Sequence, residues 1–166
     1  MKTTIKILFM AFLGLAVYTG FAQNKKADKK AKQETAVKGK IDSTKYTFVA
    51  QWMNPLGGNQ VFLTPANMYD IKIRKDSVIA FLPYFGRVFM SPPVGGDDGG
   101  IKFTSTKFDY KVTLKKDRWQ VIINFKDTRK ARRLTMDVFK NGTATANIIS
   151  DTRDPIYFQG NIDIQI

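Results

Sequence analysis

Phe108-Asp109-Tyr110-Lys111-Val112-Thr113-Leu114-Lys115-Lys116-Asp117-Arg118-Trp119-Gln120-Val121-Ile122-Ile123-Asn124-Phe125 folds back on itself in one satisfactory register. A turn centred on Lys116-Asp117 sets Leu114 against Trp119, Val112 against Val121, Tyr110 against Ile123 and Phe108 against Phe125. All four pairs are apolar and share one face, because successive residues of a strand point to opposite sides. The other face, with Thr113 opposite Gln120 and Asp109 opposite Asn124, is wet. A slip of one residue would turn the apolar set outward, so the pattern specifies both the hairpin and its register.

The same test decides a turn type downstream. Asn141-Gly142 ordinarily announces a two-residue loop. That register would oppose Val138 to Thr145 and Met136 to Asn147. A three-residue loop, Lys140-Asn141-Gly142 with Gly142 left-handed, gives Val138–Ala144, Met136–Ala146 and Leu134–Ile148 instead, and packing favours it. The last strand carries Ile156, Phe158, Gly160, Ile162 and Ile164 on one face and Gln159, Asn161, Asp163 and Gln165 on the other. Upstream, a loop at Lys75-Asp76 pairs Ile73 with Val78, Ile71 with Ala80 and Tyr69 with Leu82. Further back, Tyr46, Phe48, Ala50 and Trp52 alternate with Thr47, Val49 and Gln51, which predicts a strand burying the first four. Asn54–Asn59 breaks it, and Gln60–Thr64 is a short strand stopped by Pro65. The expected fold is all-β: one domain over 46–166, an antiparallel meander of about nine to eleven strands, either a sandwich or a partly open barrel.

The N-terminus reads as an address. Lys2 and Lys6 precede an apolar stretch from Ile7 to Val17, and Gly20-Phe21-Ala22 supplies a small-residue cleavage site. This is the pattern of a secretory signal peptide over 1–22, too short and too interrupted for a spanning helix. The mature chain is expected to begin at Gln23, exported to the periplasm or secreted and not transmembrane. Residues 23–45 form a Lys-rich leader, expected to be a flexible tether. Val37 and Ile41 lie four apart, which predicts a short amphipathic helix from about Thr35 to Ser43.

Composition excludes much chemistry. The chain of 166 residues has no His and no Cys, and its formal net charge is +13. Disulfides, thiol nucleophiles, a lipid-modified cysteine, triads and most transition-metal sites therefore fall away. The aspartates sit at turns or outward positions with no pair singled out, so no catalytic residue, metal site or cofactor is expected.

One segment departs from ordinary meander. Leu82-Pro83-Tyr84-Phe85-Gly86-Arg87, taken with Gly99-Gly100-Ile101-Lys102-Phe103-Thr104-Ser105 and the closing Ile156-Tyr157-Phe158-Gln159-Gly160, resembles a family of exported Bacteroidetes proteins catalogued as domain of unknown function 4251. The resemblance runs from about Tyr46 to the C-terminus. It implies a signal peptide and a single domain, and it carries over no activity.

Three stretches are candidates for function. Tyr84, Phe85 and Arg87 either cap the core at a bend made by Pro83 and Gly86 or form the mouth of a ligand pocket, with Arg87 meeting an anionic head group. Ser91–Gly100, with Asp97-Asp98, is a flexible loop that could act as a lid; two adjacent aspartates make a poor calcium site. Arg129, Lys130, Arg132 and Arg133 are a solvated connection or a contact for an anionic glycan, lipid or acidic partner; nucleic acid is not expected. The functional expectation is a non-catalytic envelope protein binding an apolar or amphiphilic ligand. The alternative is an envelope interaction module with a protein, anionic-glycan or lipid partner.

Overall fold

A computed structural model describes residues 28–89 and 99–164. The signal peptide read at 1–22, and residues 91–98 with the lid and calcium readings placed on them, lie outside that range. A helix, α1, spans 28–43. Ten strands follow: β1 Tyr46–Pro55, β2 Val61–Phe62, β3 Asp70–Ile73, β4 Val78–Leu82, β5 Ile101–Ser105, β6 Phe108–Leu114, β7 Arg118–Phe125, β8 Arg133–Phe139, β9 Thr143–Ile149 and β10 Ile156–Ile162.

All ten belong to one antiparallel sheet in the order β5-β4-β3-β1-β10-β9-β8-β7-β6, with β2 beside β1. The two edge strands, β5 and β6, are consecutive in the chain. The link Thr106-Lys107 holds one end of each beside the other, so the sheet curls into a nearly closed barrel. Of the two architectures the sequence allows, the molecule adopts the barrel. The Asp127 carboxylate clamps the seam, accepting hydrogen bonds from Ser105 Oγ (2.5 Å), Thr106 N (2.8 Å) and Lys107 N (3.0 Å). Phe125 wedges beneath it, edge-on to Phe103 with ring centroids 5.0 Å apart. Toward its far end β6 is less covered, and Leu114 is 66% exposed although its register faces inward.

The β6–β7 hairpin has all four apolar pairs and both polar pairs read from the sequence. In the β8–β9 hairpin Gly142 has φ 82°, and Val138–Ala144, Met136–Ala146 and Leu134–Ile148 are opposed. The β3–β4 hairpin pairs Ile73 with Val78 and Ile71 with Ala80. That ladder ends at Asp70–Phe81, and Tyr69 stacks on Phe81 at 5.6 Å. The barrel interior is filled by side chains, with Phe48, Met53, Leu134, Met136 and Phe158 all fully buried.

Two expectations need correction. The alternation from Tyr46 to Trp52 breaks at a β-bulge: Ala50 faces Gly160 while Trp52 faces the adjacent Gln159, leaving Gln51 as the extra residue. Trp52 consequently points outward, 38% exposed, and Met53 takes the inward place. The second correction is that α1 already includes residue 28, well before Thr35. Once Val37 and Ile41 are buried, the Lys- and Ala-rich turns before them propagate a helix at little cost. Gln33 Nε2 donates to Asn141 O (2.7 Å) and Glu34 pairs with Lys140 (2.7 Å), pinning α1 to the β8–β9 turn. Its C-terminal end meets the barrel where the Tyr46 and Tyr110 hydroxyls lie 3.2 Å apart. Burial, and then Tyr110, push the Tyr46 phenol well above its ordinary value, which keeps it protonated.

Candidate functional site

Pro83 has no N–H to give to a ladder, and β4 ends at Leu82 just before it. The chain then bends through Tyr84, Phe85 and Gly86. Tyr84 Oη donates to the carbonyl of Arg87 (2.8 Å) and lies 3.2 Å from that of Asp154, so the phenol ties the bend to itself and to the loop before β10. Gly86 is required by this closure, since a Cβ there would stand 2.7 Å from the Tyr84 oxygen. Beyond the bend, Val88 bridges Arg153 and Phe89 N donates to Thr152 O (2.8 Å).

Arg153 is the fixed point of this region. Its guanidinium lies 4.8 Å from the Tyr84 ring centroid and Nη1 donates to Gly99 O (2.9 Å). Arg153 and Asp154 are both buried. Desolvation raises the Tyr84 phenol above its ordinary value, Asp154 adds to the rise, and the Arg153 charge opposes it. The phenol therefore remains a donor at neutral pH. Sequence reasoning missed Arg153, because a charged residue in a Pro-flanked turn carries no periodic signal of burial.

Tyr84 and Phe85 line a cleft of about 290 Å³, small for a ligand site, on the outer face of the sheet. Tyr69, Phe81, Pro83 and Lys102 contribute to its walls. Phe85 is 60% exposed, and Lys102 Nζ sits 4.7 Å from the Phe81 ring centroid. Arg87 does not share in the cleft wall: its Nε pairs with Asp154 Oδ2 at 3.2 Å. The cation on the wall is Lys102. Its cross-strand row, Asp70–Phe81–Lys102, emerges only when β3, β4 and β5 are aligned.

The basic run lies in the β7–β8 connection and at the start of β8. Arg132 Nε pairs with Asp151 (3.0 Å), and Arg133 Nε donates to Asn124 Oδ1 (2.8 Å). Arg129 accepts a hydrogen bond from Ser150 at its carbonyl, and the Lys130 amide donates to Thr128 Oγ1. The Arg132 charge is thus countered by a carboxylate within the fold, which reduces the field the run presents. Among the described residues, no group of three or more potential metal-ligating side chains gathers, and no helix is long and apolar enough to cross a membrane.

A curled ten-stranded antiparallel sheet with a docked helix and an aromatic surface cleft places the molecule among small, partly open β-barrel domains. The family model described as domain of unknown function (DUF4251) matches residues 28–162, and the chain belongs to that family. The match takes in α1 as well as the barrel. Among solved structures, the chain is similar to a DUF4251 family protein from Bacteroides eggerthii DSM 20697. The two share 12% identity with a TM-score of 0.50, covering 78% of this chain and 86% of the other. At that identity the likeness speaks for the fold alone. No protein with a curated description matches the sequence.

Proposed function

We propose that this is an exported, non-catalytic cell-envelope protein that holds an apolar or amphiphilic ligand against the outer face of its barrel at the Tyr84–Phe85 bend. One observation carries the reading: Tyr69, Phe81 and Phe85 offer aromatic surface to a common cleft, with the Lys102 ammonium on its wall. An apolar chain laid on these rings gains about 25 cal/mol for each Å² removed from water. A carboxylate or sulfate head reaches Lys102 through a charge-assisted hydrogen bond. The absence of His and Cys from the chain supports a binding role over a catalytic one.

A thermal-shift screen with decanoate, dodecyl sulfate and a neutral dodecyl glucoside tests the reading. The anionic amphiphiles should raise Tm, Phe85→Ala should remove the rise, and Lys102→Ala should weaken the anionic ligands only. If no amphiphile moves Tm, the bend is structural. The exposed Val88 and Phe89 beside it then favour the alternative, a docking surface for an envelope partner.

A further inference from the structure

A second groove lies away from the bend, on the outer face of β1, β10, β9 and β8, and encloses about 320 Å³. Trp52 and Phe139 stand in its walls, and Gln51, Gln159, Asn161 and Thr145 contribute polar side chains. We propose that it binds a neutral oligosaccharide, with Trp52 as the stacking platform.

The backbone goes out of its way to present that indole. Continued alternation would bury position 52 with Tyr46, Phe48 and Ala50, but the bulge at Gln51 re-aims it to the surface and seats Met53 in the core instead. Bulges that redirect a side chain recur beside binding and active sites. The bulge also demands Gly160 opposite Ala50, where the Val49 carbonyl occupies the space a Cβ would need. The exposed indole is braced on one side. Phe62 of β2 pairs directly with Trp52 and packs edge-on at 4.9 Å, with planes inclined by 64°.

The chemistry of the walls selects the ligand. No ionisable side chain lines the groove, in a chain whose formal net charge is +13. Cations stand at its rim and not in its walls: Arg118, 6.0 Å from the Phe139 ring centroid, pairs with Asp137, and Lys140 pairs with Glu34. Gln51, Gln159 and Asn161 make no side-chain hydrogen bond among the described residues, so each amide offers both donors and an acceptor. A lipid chain would strip water from these amides and return nothing. A sugar ring satisfies both kinds of surface at once: its C–H face lies on the indole, and its hydroxyls exchange donors and acceptors with the amides.

The test uses the full chain exported from its host and a panel of neutral hexasaccharides: cellohexaose, maltohexaose, xylohexaose and mannohexaose. The chain has two tryptophans, and Trp119 is buried, so a change in the exposed component of the emission reports on Trp52. At least one hexasaccharide should quench that emission and bind by calorimetry with Kd below about 1 mM. Trp52→Ala should weaken binding by about tenfold or more, while Trp52→Phe retains part of it. Because Trp52 packs on Phe62, Gln159→Ala and Asn161→Ala serve as second variants that truncate an amide and leave the indole in place; each should weaken binding several-fold, by more than any change in Tm accounts for. Phe85→Ala, in the other cleft, should leave it intact. The proposal is overturned if none of the four sugars binds, if binding survives both Trp52→Ala and Gln159→Ala, or if polygalacturonate outcompetes every neutral sugar and so points to the basic surface.

Discussion

The carbonyl of Val49 lies in the space that a side chain on Gly160 would fill. This contact locks the bulge in β1 against β10. Gly160→Ala forces the two strands apart at the centre of the sheet, beside the fully buried Phe48 and Phe158. The expected cost is about 3 kcal/mol, the upper range for overpacking, because the obstacle is backbone and cannot rotate away. Urea denaturation measures it. A loss below about 0.5 kcal/mol would show that the bulge relaxes freely.

The β8–β9 turn gives a graded pair. Gly142 has φ 82°, and a Cβ there would run into Ile164. Gly142→Ala should therefore cost about 2 kcal/mol, from backbone strain and the steric clash together. Asn141 Oδ1 accepts from Thr143 N (3.1 Å) and Thr143 Oγ1 (2.7 Å), so Asn141→Ala should cost about 1 kcal/mol. The order matters more than the sizes. Chemical denaturation that ranked Asn141→Ala as the costlier change would contradict the left-handed strain.

What the sequence disclosed and what it hid have physical reasons. Hairpin registers were legible because each is a local match of apolar residues, as with Tyr110–Ile123 and Val138–Ala144. The bulge was not, because Trp52 and Met53 are both apolar and either could continue the inward face after Ala50. Only the distant partner Gly160 decides between them. Closure of the barrel depends on β1 meeting β3 and β10, pairings across long stretches of chain that no periodicity records. The Pro83–Arg87 bend stood out by its composition, yet Arg87 proved to be engaged by Asp154. The wall residue Lys102 belongs to a strand that reads as plain β.

Helix α1 is part of the fold by its burial. Ile41 is 1% exposed and Val37 is fully buried. Ile41→Ala should cost about 3 kcal/mol, the usual range for a large aliphatic residue truncated in a core. A flexible tether would instead tolerate the change with no loss. Thermal melts of Ile41→Ala beside the exposed-face control Lys38→Ala separate the cases. Lys38 pairs with Asp42 on the helix surface and should matter by less than about 0.5 kcal/mol.

The Tyr84 phenol offers a test of the bend without touching its packing. Tyr84→Phe keeps the ring under Arg153 but removes the donor to Arg87 O and Asp154 O. A loss of about 1 kcal/mol is expected, with faster hydrogen exchange at the Phe89 and Asp154 amides, which bond across the same segment. Unchanged exchange at both amides would mean that the strand bridge, and not the phenol, holds the bend.

Asp127 makes the seam of the barrel sensitive to acid. The Ser105 hydroxyl first, and then the amides of Thr106 and Lys107, hold its carboxyl below the ordinary value of 3.8. A folded-state value below the unfolded one means that the charged form is bound more tightly in the folded chain. Its contribution is complete above the unfolded value and is lost as pH falls through the depressed folded value. Urea midpoints followed from neutral pH to about pH 2 should decline in that acid window for the wild type. Asp127→Asn should be less stable at neutral pH, because its amide accepts fewer of these bonds, and should lose part of the acid decline. The Thr106 and Lys107 amides, tethered by this carboxylate where β5 turns into β6, should exchange faster in the variant at neutral pH. If the acid decline is unchanged in Asp127→Asn, other carboxylates govern it. If the two amides remain protected as well, the seam is held by Phe125 packing between Phe103 and Phe108, and the carboxylate is incidental.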